Sequence, residues 1–221
     1  MMLAHPHMDT VLDFLSDRFN TLVIENPMFF RRFLQDIHCQ IQGDDGVAVL
    51  SENNMPISFS RNAELLADYI SFEVSKKSLV NMILAYMESV AMDEVHYVKT
   101  MQLIGELEQY IHQLAFDLPC GIFCGKMHIG GVLRSAGIEI ANDYDNDLER
   151  ILDYMELTRE LERDKLFVLV NLRSFYPDAE VSAFCTSALN HGFSVLLVDS
   201  VSRKLLPNEK RVTVDSDLCE F

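Results

Sequence analysis

The densest group of metal-ligand side chains lies at residues 142–149, NDYDNDLE, where Asp143, Asp145 and Asp147 fall at every second position. That spacing matches the opening of a calcium loop, in which alternate oxygens turn toward one ion. The rest of such a loop is missing. Leu148 stands where the sharp turn needs glycine, and Tyr154 stands where a bidentate Glu closes the shell. Asp147 or a neighbour also suits the N-cap of a following helix, where a carboxylate meets the positive end of the dipole. Cys120 and Cys124 form a C-x₃-C pair with no second pair nearby, and zinc asks for four ligands at tighter spacing. None of the seven histidines falls in a metal-helix pattern such as HExxH, and no Ser or Cys sits in a nucleophile elbow.

A second place for chemistry is the turn after residues 21–25, TLVIE. A buried strand running straight into a helix is where a mononucleotide fold carries its phosphate loop. That loop needs glycines, so that backbone N–H groups can approach the phosphates, and a Lys for charge. Residues 23–30 read VIENPMFF, with no glycine, no lysine, and no Ser or Thr for magnesium. The next strongly buried strand would end in a metal-binding Asp, but residues 165–171, KLFVLVN, end in Asn171. The fold reads as nucleotide-like with a degenerate phosphate site, and ATP hydrolysis is not expected.

The elements that position these residues follow from hydrophobic period. Residues 166–170 and 193–198 are unbroken apolar runs, the mark of strands buried on both faces. A helix over 178–190, ended by His191 and Gly192, joins them in a βαβ unit, and a further strand lies near 211–214. A weaker strand is expected at 11–15. Asn26 and Pro27 open a helix with Phe30, Phe33, Leu34, Ile37 and Ile41 at helical spacing, ended at residues 43–46. Residues 47–50 and 57–59 predict a hairpin with a loose turn, decorating the sheet edge. From residue 75 the texture turns helical. Leu79, Met82, Ile83, Tyr86, Met87 and Val90 form one stripe, and Val98, Met101, Ile104, Leu107, Ile111 and Leu114 another, predicting an αα-hairpin with both stripes inward. Helices at 126–135 and 147–161 follow, with a short extended piece at 138–140 between them. The expected organisation is an α/β head, residues 1–74 and 162–221, with a mostly parallel sheet, and an inserted α-helical leg lobe, residues 75–161.

Composition bounds the function. At 221 residues and 49% apolar, the chain can bury a sizeable core. It contains no apolar run long enough for a membrane span and no signal-peptide pattern, so no membrane contact is expected and the chain reads as cytoplasmic. Five cysteines, an odd number lying mostly in or beside apolar segments, read as reduced thiols. The net charge of −16 leans against nucleic acid on average, since affinity for DNA comes from Lys and Arg meeting phosphate. The few bases are grouped, however: Arg31 with Arg32, Lys76 with Lys77, then Lys126 and Arg134, and Lys210 with Arg211. Each group alone is a solvated face; symmetry that gathers copies around one axis turns them into a DNA surface.

Taken in order, residues 21–25 with the Phe-rich helix after them, the leucine-rich hairpin, 133–140 (LRSAGIEI), 165–174 (KLFVLVNLRS) and 209–218 (EKRVTVDSDL) resemble the CRISPR-associated Csn-two family, the spacer-acquisition protein of type II-A systems, in its short branch. The resemblance covers nearly the whole chain. It implies an α/β head resembling a P-loop fold without its phosphate site, a helical leg, and no enzymatic activity. It also implies a homotetrameric ring that binds double-stranded DNA ends without sequence preference, acting in adaptation and antiviral defence with the integrase pair and the effector nuclease. On this reading Arg31, Arg32, Lys76, Lys77, Lys126 and Arg134 are the DNA contacts. Calcium is the implied cofactor, with no nucleotide. The family's carboxylates cluster around the helix corresponding to 126–135; here residues 118–124 carry no acid, and Asp117, Glu139, Asp143 and Asp145 are the nearest substitutes. Two other readings stay open: a degenerate P-loop-like nucleotide-dependent enzyme, and an acidic protein-binding scaffold.

Overall fold

The computed structural model describes residues 1–14, 17–72, 77–123, 125–140 and 146–221. The chain divides into two compact units, residues 1–72 with 144–221, and residues 73–143.

The first unit is built on strands that bury both faces. β1 (Met2–Ala4) and β2 (Leu12–Asp13) lead into β3 (Phe19–Ile24), whose six residues are all buried. Asn26 then caps α1 (Pro27–Gln42), and Gly43 ends it at φ 96°, a left-handed conformation that glycine adopts without cost. β4 (Val49–Glu52) and β5 (Met55–Ile57) form the hairpin, followed by the short α2 (Phe59–Asn62) and β6 (Ala63–Leu66). The hairpin turn is tight and not loose: Asn53 and Asn54 both take positive φ, 50° and 61°, the twist that joins antiparallel strands in two residues. The hairpin also does not decorate the main sheet. It belongs to a separate antiparallel sheet in the order β2-β1-β4-β5.

The second unit holds α3 (Lys77–Ala91), α4 (Tyr97–Leu114) and α5 (Ile129–Ser135). The chain then returns to the first unit through α6 (Asp147–Leu161), β7 (Leu166–Val170), a 3₁₀ turn (Leu172–Ser174), α7 (Asp178–Asn190), β8 (Ser194–Asp199) and β9 (Glu209–Val214). The main sheet is parallel throughout, in the order β6-β7-β8-β3-β9. One face carries Leu22, Ile24, Leu166, Val168, Leu196 and Val198 against Phe29, Phe33 and Ile37 of α1. Strand alternation turns Val23, Phe167, Leu169 and Leu197, all buried, to the other face.

Two expectations change. The boundary of the inserted unit falls at 143 and not at 161, because α6 packs on the head. Its Leu148, Ile151, Tyr154 and Met155 are buried, the Tyr154 hydroxyl donates to Glu64 of β6, and Arg159 lies 4.4 Å over the Phe193 ring. Glu64 also receives Lys165, itself paired with Glu162, so three charged groups fasten the end of α6 to the sheet. In the inserted unit the two long stripes do not close on each other. Only Leu79 of α3, and Thr100 and Ile104 of α4, are buried; α3 packs against α5. The stripe on α4 stays open, with Val98 75% and Leu114 65% exposed. The extended piece expected at 138–140 forms no strand, and the helix expected from 126 begins at Ile129.

Candidate nucleic-acid interface

The carboxyl ends of β3, β7 and β8 are where an open parallel sheet normally binds ligands. At β3 the phosphate position is occupied by the protein itself. Asn26 Oδ1 accepts from the backbone N–H groups of Met28 and Phe29 at 3.1 and 3.0 Å, and Pro27 has no N–H to offer. Asn26 Nδ2 is fixed in turn on the Ser216 carbonyl at 2.9 Å. The amides that would meet an anion at this helix start are satisfied locally.

At β7, Asn171 takes a left-handed backbone, and its Oδ1 accepts from the Ser200 amide at 3.0 Å and the Ser200 hydroxyl at 3.2 Å. It ties two strand ends together. The carboxylate at this rim is instead Asp199, the last residue of β8, in register with Val23 of β3. Asp199 is 3% exposed and its Oδ2 has no hydrogen-bond partner. Burial pushes its pKa up to about 6, against the opposing pull of Arg173, Arg203 and Arg211. The end of the run SVLLVD was the sequence signal for it; alternation alone could not say that this strand lies between β7 and β3.

Arg173, equally buried, spreads its guanidinium over Asp178 (3.0 and 2.9 Å), Glu209 (3.8 Å) and the Lys204 carbonyl (2.7 Å). Arg211 pairs with Glu209, and Lys210 with Asp13. These cations are committed to internal partners. The expected DNA contacts fare differently. Arg31 and Arg32 are exposed on α1 and form no ion pair among the described residues; Arg32 lines a cleft of about 360 Å³ with His7, Asn26, Met28, Phe29 and Leu218. In the inserted unit Lys77 and Lys126 are exposed and likewise unpaired among the described residues, while Arg134 reaches Glu88 at 4.0 Å. Lys76 lies outside the described residues. Within each unit the bases are spread along separate elements.

The expected calcium ligands do not converge where they are described. Asp117 and Glu139 are exposed, and no three His, Cys, Asp or Glu gather to hold a metal among the described residues. Asp143 and Asp145 lie outside the described residues. Asp147 is not the helix cap: Asn146 Oδ1 accepts from the Leu148 amide at 2.8 Å, and Asp147 pairs with Arg150 at 3.0 Å.

The sequence model of a family described as CRISPR-associated protein (Cas_Csn2) matches residues 40–218. The chain belongs to this family. The Cas_Csn2 match spans the antiparallel hairpin, the inserted helices and the whole β7–α7–β8–β9 unit. Among solved structures the chain is similar to Stu0660 of Streptococcus thermophilus, at 13% identity and a TM-score of 0.55, covering 90% of this chain and 68% of that one. At that identity the likeness speaks for the fold. A comparison with curated proteins finds no match. No helix among the described residues is long and apolar enough to cross a membrane.

Proposed function

We propose that this Cas_Csn2-family chain is a non-enzymatic, sequence-independent binder of double-stranded DNA ends, acting in CRISPR adaptation as a homotetramer beside the integrase and effector nuclease. Family membership carries the reading. Three observations support it. The capped start of α1 leaves no cradle for a nucleotide phosphate. On α4, Val98, Met101, Leu107 and Leu114 leave much of the apolar stripe exposed, as a self-associating helix requires. Arg31, Arg32, Lys77 and Lys126 form no ion pair among the described residues, so copies gathered around an axis add these charges where the chain's average of −16 does not act.

We also propose calcium as the cofactor, with Asp117, Glu139, Asp143 and Asp145 as the candidate ligands. Titration calorimetry with calcium tests it directly, and absence of a binding heat removes the cofactor from the reading.

The DNA reading is tested by gel shift with a linear duplex and the same sequence as a closed circle. Preference for the linear form, weakening steeply with salt and indifferent to sequence, is the expected result. Equal affinity for the circle, which has no end to thread, refutes end binding.

A further inference from the structure

The cleft of about 360 Å³ beside the start of α1 is bounded by His7, Asn26, Met28, Phe29, Arg32 and Leu218, and no carboxylate lines it. Its volume falls within the range of small-ligand sites. Phe29 is buried, and the His7 ring stands edge-on to it, with centroids 6.0 Å apart and planes at 88°. Met28 and Leu218 are 75% and 58% exposed. Leu218 holds φ at 67°, a left-handed backbone that a branched side chain seldom adopts. A fixed turn imposes it: the Asp215 carboxylate accepts the Asp217 and Cys219 amides at 2.9 and 2.8 Å, and the Asp215 carbonyl accepts the Leu218 amide at 3.2 Å. Burial does not offset that conformation, since the side chain stays exposed. Strain of this kind collects where ligands are clamped.

The polar groups in and around the cleft divide into committed and free. Asn26 spends Oδ1 on the amides of Met28 and Phe29 and Nδ2 on the Ser216 carbonyl. Asp36, one turn along α1 from Arg32, lies 3.3 Å from His5 Nε2, and Glu220 accepts the amides of Asp9 and Thr10 at 2.8 and 2.7 Å. By contrast, the Arg32 guanidinium and the His7 ring nitrogens form no hydrogen bond or ion pair among the described residues. Apolar walls, a polarisable thioether, two aromatic planes at right angles and one free guanidinium suit a nucleotide: a flat base lies against the walls, and its phosphate meets Arg32. With Asn26 committed at both ends, no side-chain amide is left to read a base edge, so the cleft does not select among bases.

We propose that this cleft takes the unpaired terminal nucleotide of a duplex, the base against Met28, Phe29 and Leu218 and its phosphate on Arg32. The proposal rests on the reading of the chain as a binder of DNA ends and adds a preference for ends that carry an overhang. A paired base must leave its stack to enter the cleft, whereas an overhanging base is already free.

The test compares the affinity of the full chain for two linear duplexes of one sequence, blunt and with a one-nucleotide overhang. The wild type should bind the overhang about tenfold more tightly, the size of one base–side-chain stack. M28A/L218A should bring that ratio to about 1 while keeping the wild-type slope of log K against log salt, because no phosphate contact is lost. M28L/L218M, which keeps the apolar volume, should keep the ratio. R32A should lower the ratio and flatten the slope for the overhang duplex by roughly 0.9. Equal wild-type affinity for the two ends, or an M28A/L218A ratio that stays at the wild-type value, overturns the cleft and leaves end binding standing. The wild-type comparison decides even where a variant does not fold. A wild type that binds no duplex at low salt refutes the proposed function itself. Free deoxyadenosine monophosphate is the remaining arm: displacement of the overhang duplex at equal or lower concentration of the free nucleotide overturns the proposal in favour of a mononucleotide site.

Discussion

The substitution Asp199→Asn isolates the one buried carboxylate at the sheet rim. Its ordinary pKa of 3.8 rises to about 6, chiefly through burial. Between those values the folded chain holds a proton on Asp199 that the unfolded chain has lost, so stability falls as pH rises through this window. Above it the loss is complete. A shift of about two units corresponds to roughly 3 kcal/mol at about 1.4 kcal/mol per unit. The side chain is too buried for solvent to screen away most of that. The amide of the variant cannot ionise, so its contribution does not depend on pH. The difference in unfolding free energy, variant minus wild type, should therefore grow by about 2–3 kcal/mol in favour of the variant from about pH 4 to about pH 7.5. Urea unfolding followed by far-UV circular dichroism, at one ionic strength and one protein concentration, measures it. Subtracting the two curves removes every other titrating group, and any fixed gain or loss from the amide appears only as an offset. A difference that stays flat across that range, or that moves against the variant as pH rises, refutes the assignment of a buried, unpartnered carboxylate.

His5 should behave with the opposite sign. It is buried among His7, Phe29 and Phe33, with Nε2 3.3 Å from Asp36 and Nδ1 accepting the His7 amide, and burial lowers its pKa from 6.5. Below that value the unfolded chain gains a proton that the folded chain resists, so stability drops with falling pH; a proton NMR midpoint for His5 at or above 6.5 contradicts this. Asn26→Ala removes the acceptor for two amides of α1 and the tie to Ser216, and should cost about 1 kcal/mol by denaturant unfolding. An unchanged midpoint means the cap carries no stability. Substituting Val98, Leu107 and Leu114 together by Ser should reduce the mass seen by light scattering while leaving far-UV dichroism intact; an unchanged mass removes α4 from the assembly surface.

Much of the head was legible locally. The runs 166–170 and 193–198 became β7 and β8 within a residue, the helix after Asn26 starts at its cap, and the helices at Asp147 and Asp178 start where their hydrophobic period put them. Short strands were not. β1 has three residues, and β6 carries Glu64, whose charge breaks the strand signature and makes sense only once Lys165 and Tyr154 stand beside it. The candidate interface was legible in part. Arg31, Arg32, Lys77 and Lys126 are exposed as their grouping suggested.

By itself the sequence determined the longer strands and helices of the head and the absence of a nucleotide phosphate loop after β3. Strand burial, helix period, the Asn26 cap and a glycine-free turn depend on neighbours a few residues apart, and those interactions are present in any fold that keeps the local conformation. Only the tertiary structure decided where the charges act. It set β8 between β7 and β3, which placed Asp199 and not Asn171 as the buried acid of the rim. It assigned α6 to the head and left the α4 stripe open, since a helix's apolar face does not encode which surface will cover it. And it sent Arg173 and Arg211 to the carbonyls of one exposed crossover, across separations of 31 and 8 residues. Pairing of that kind depends on strand order and register, and neither can be read from spacing along the chain.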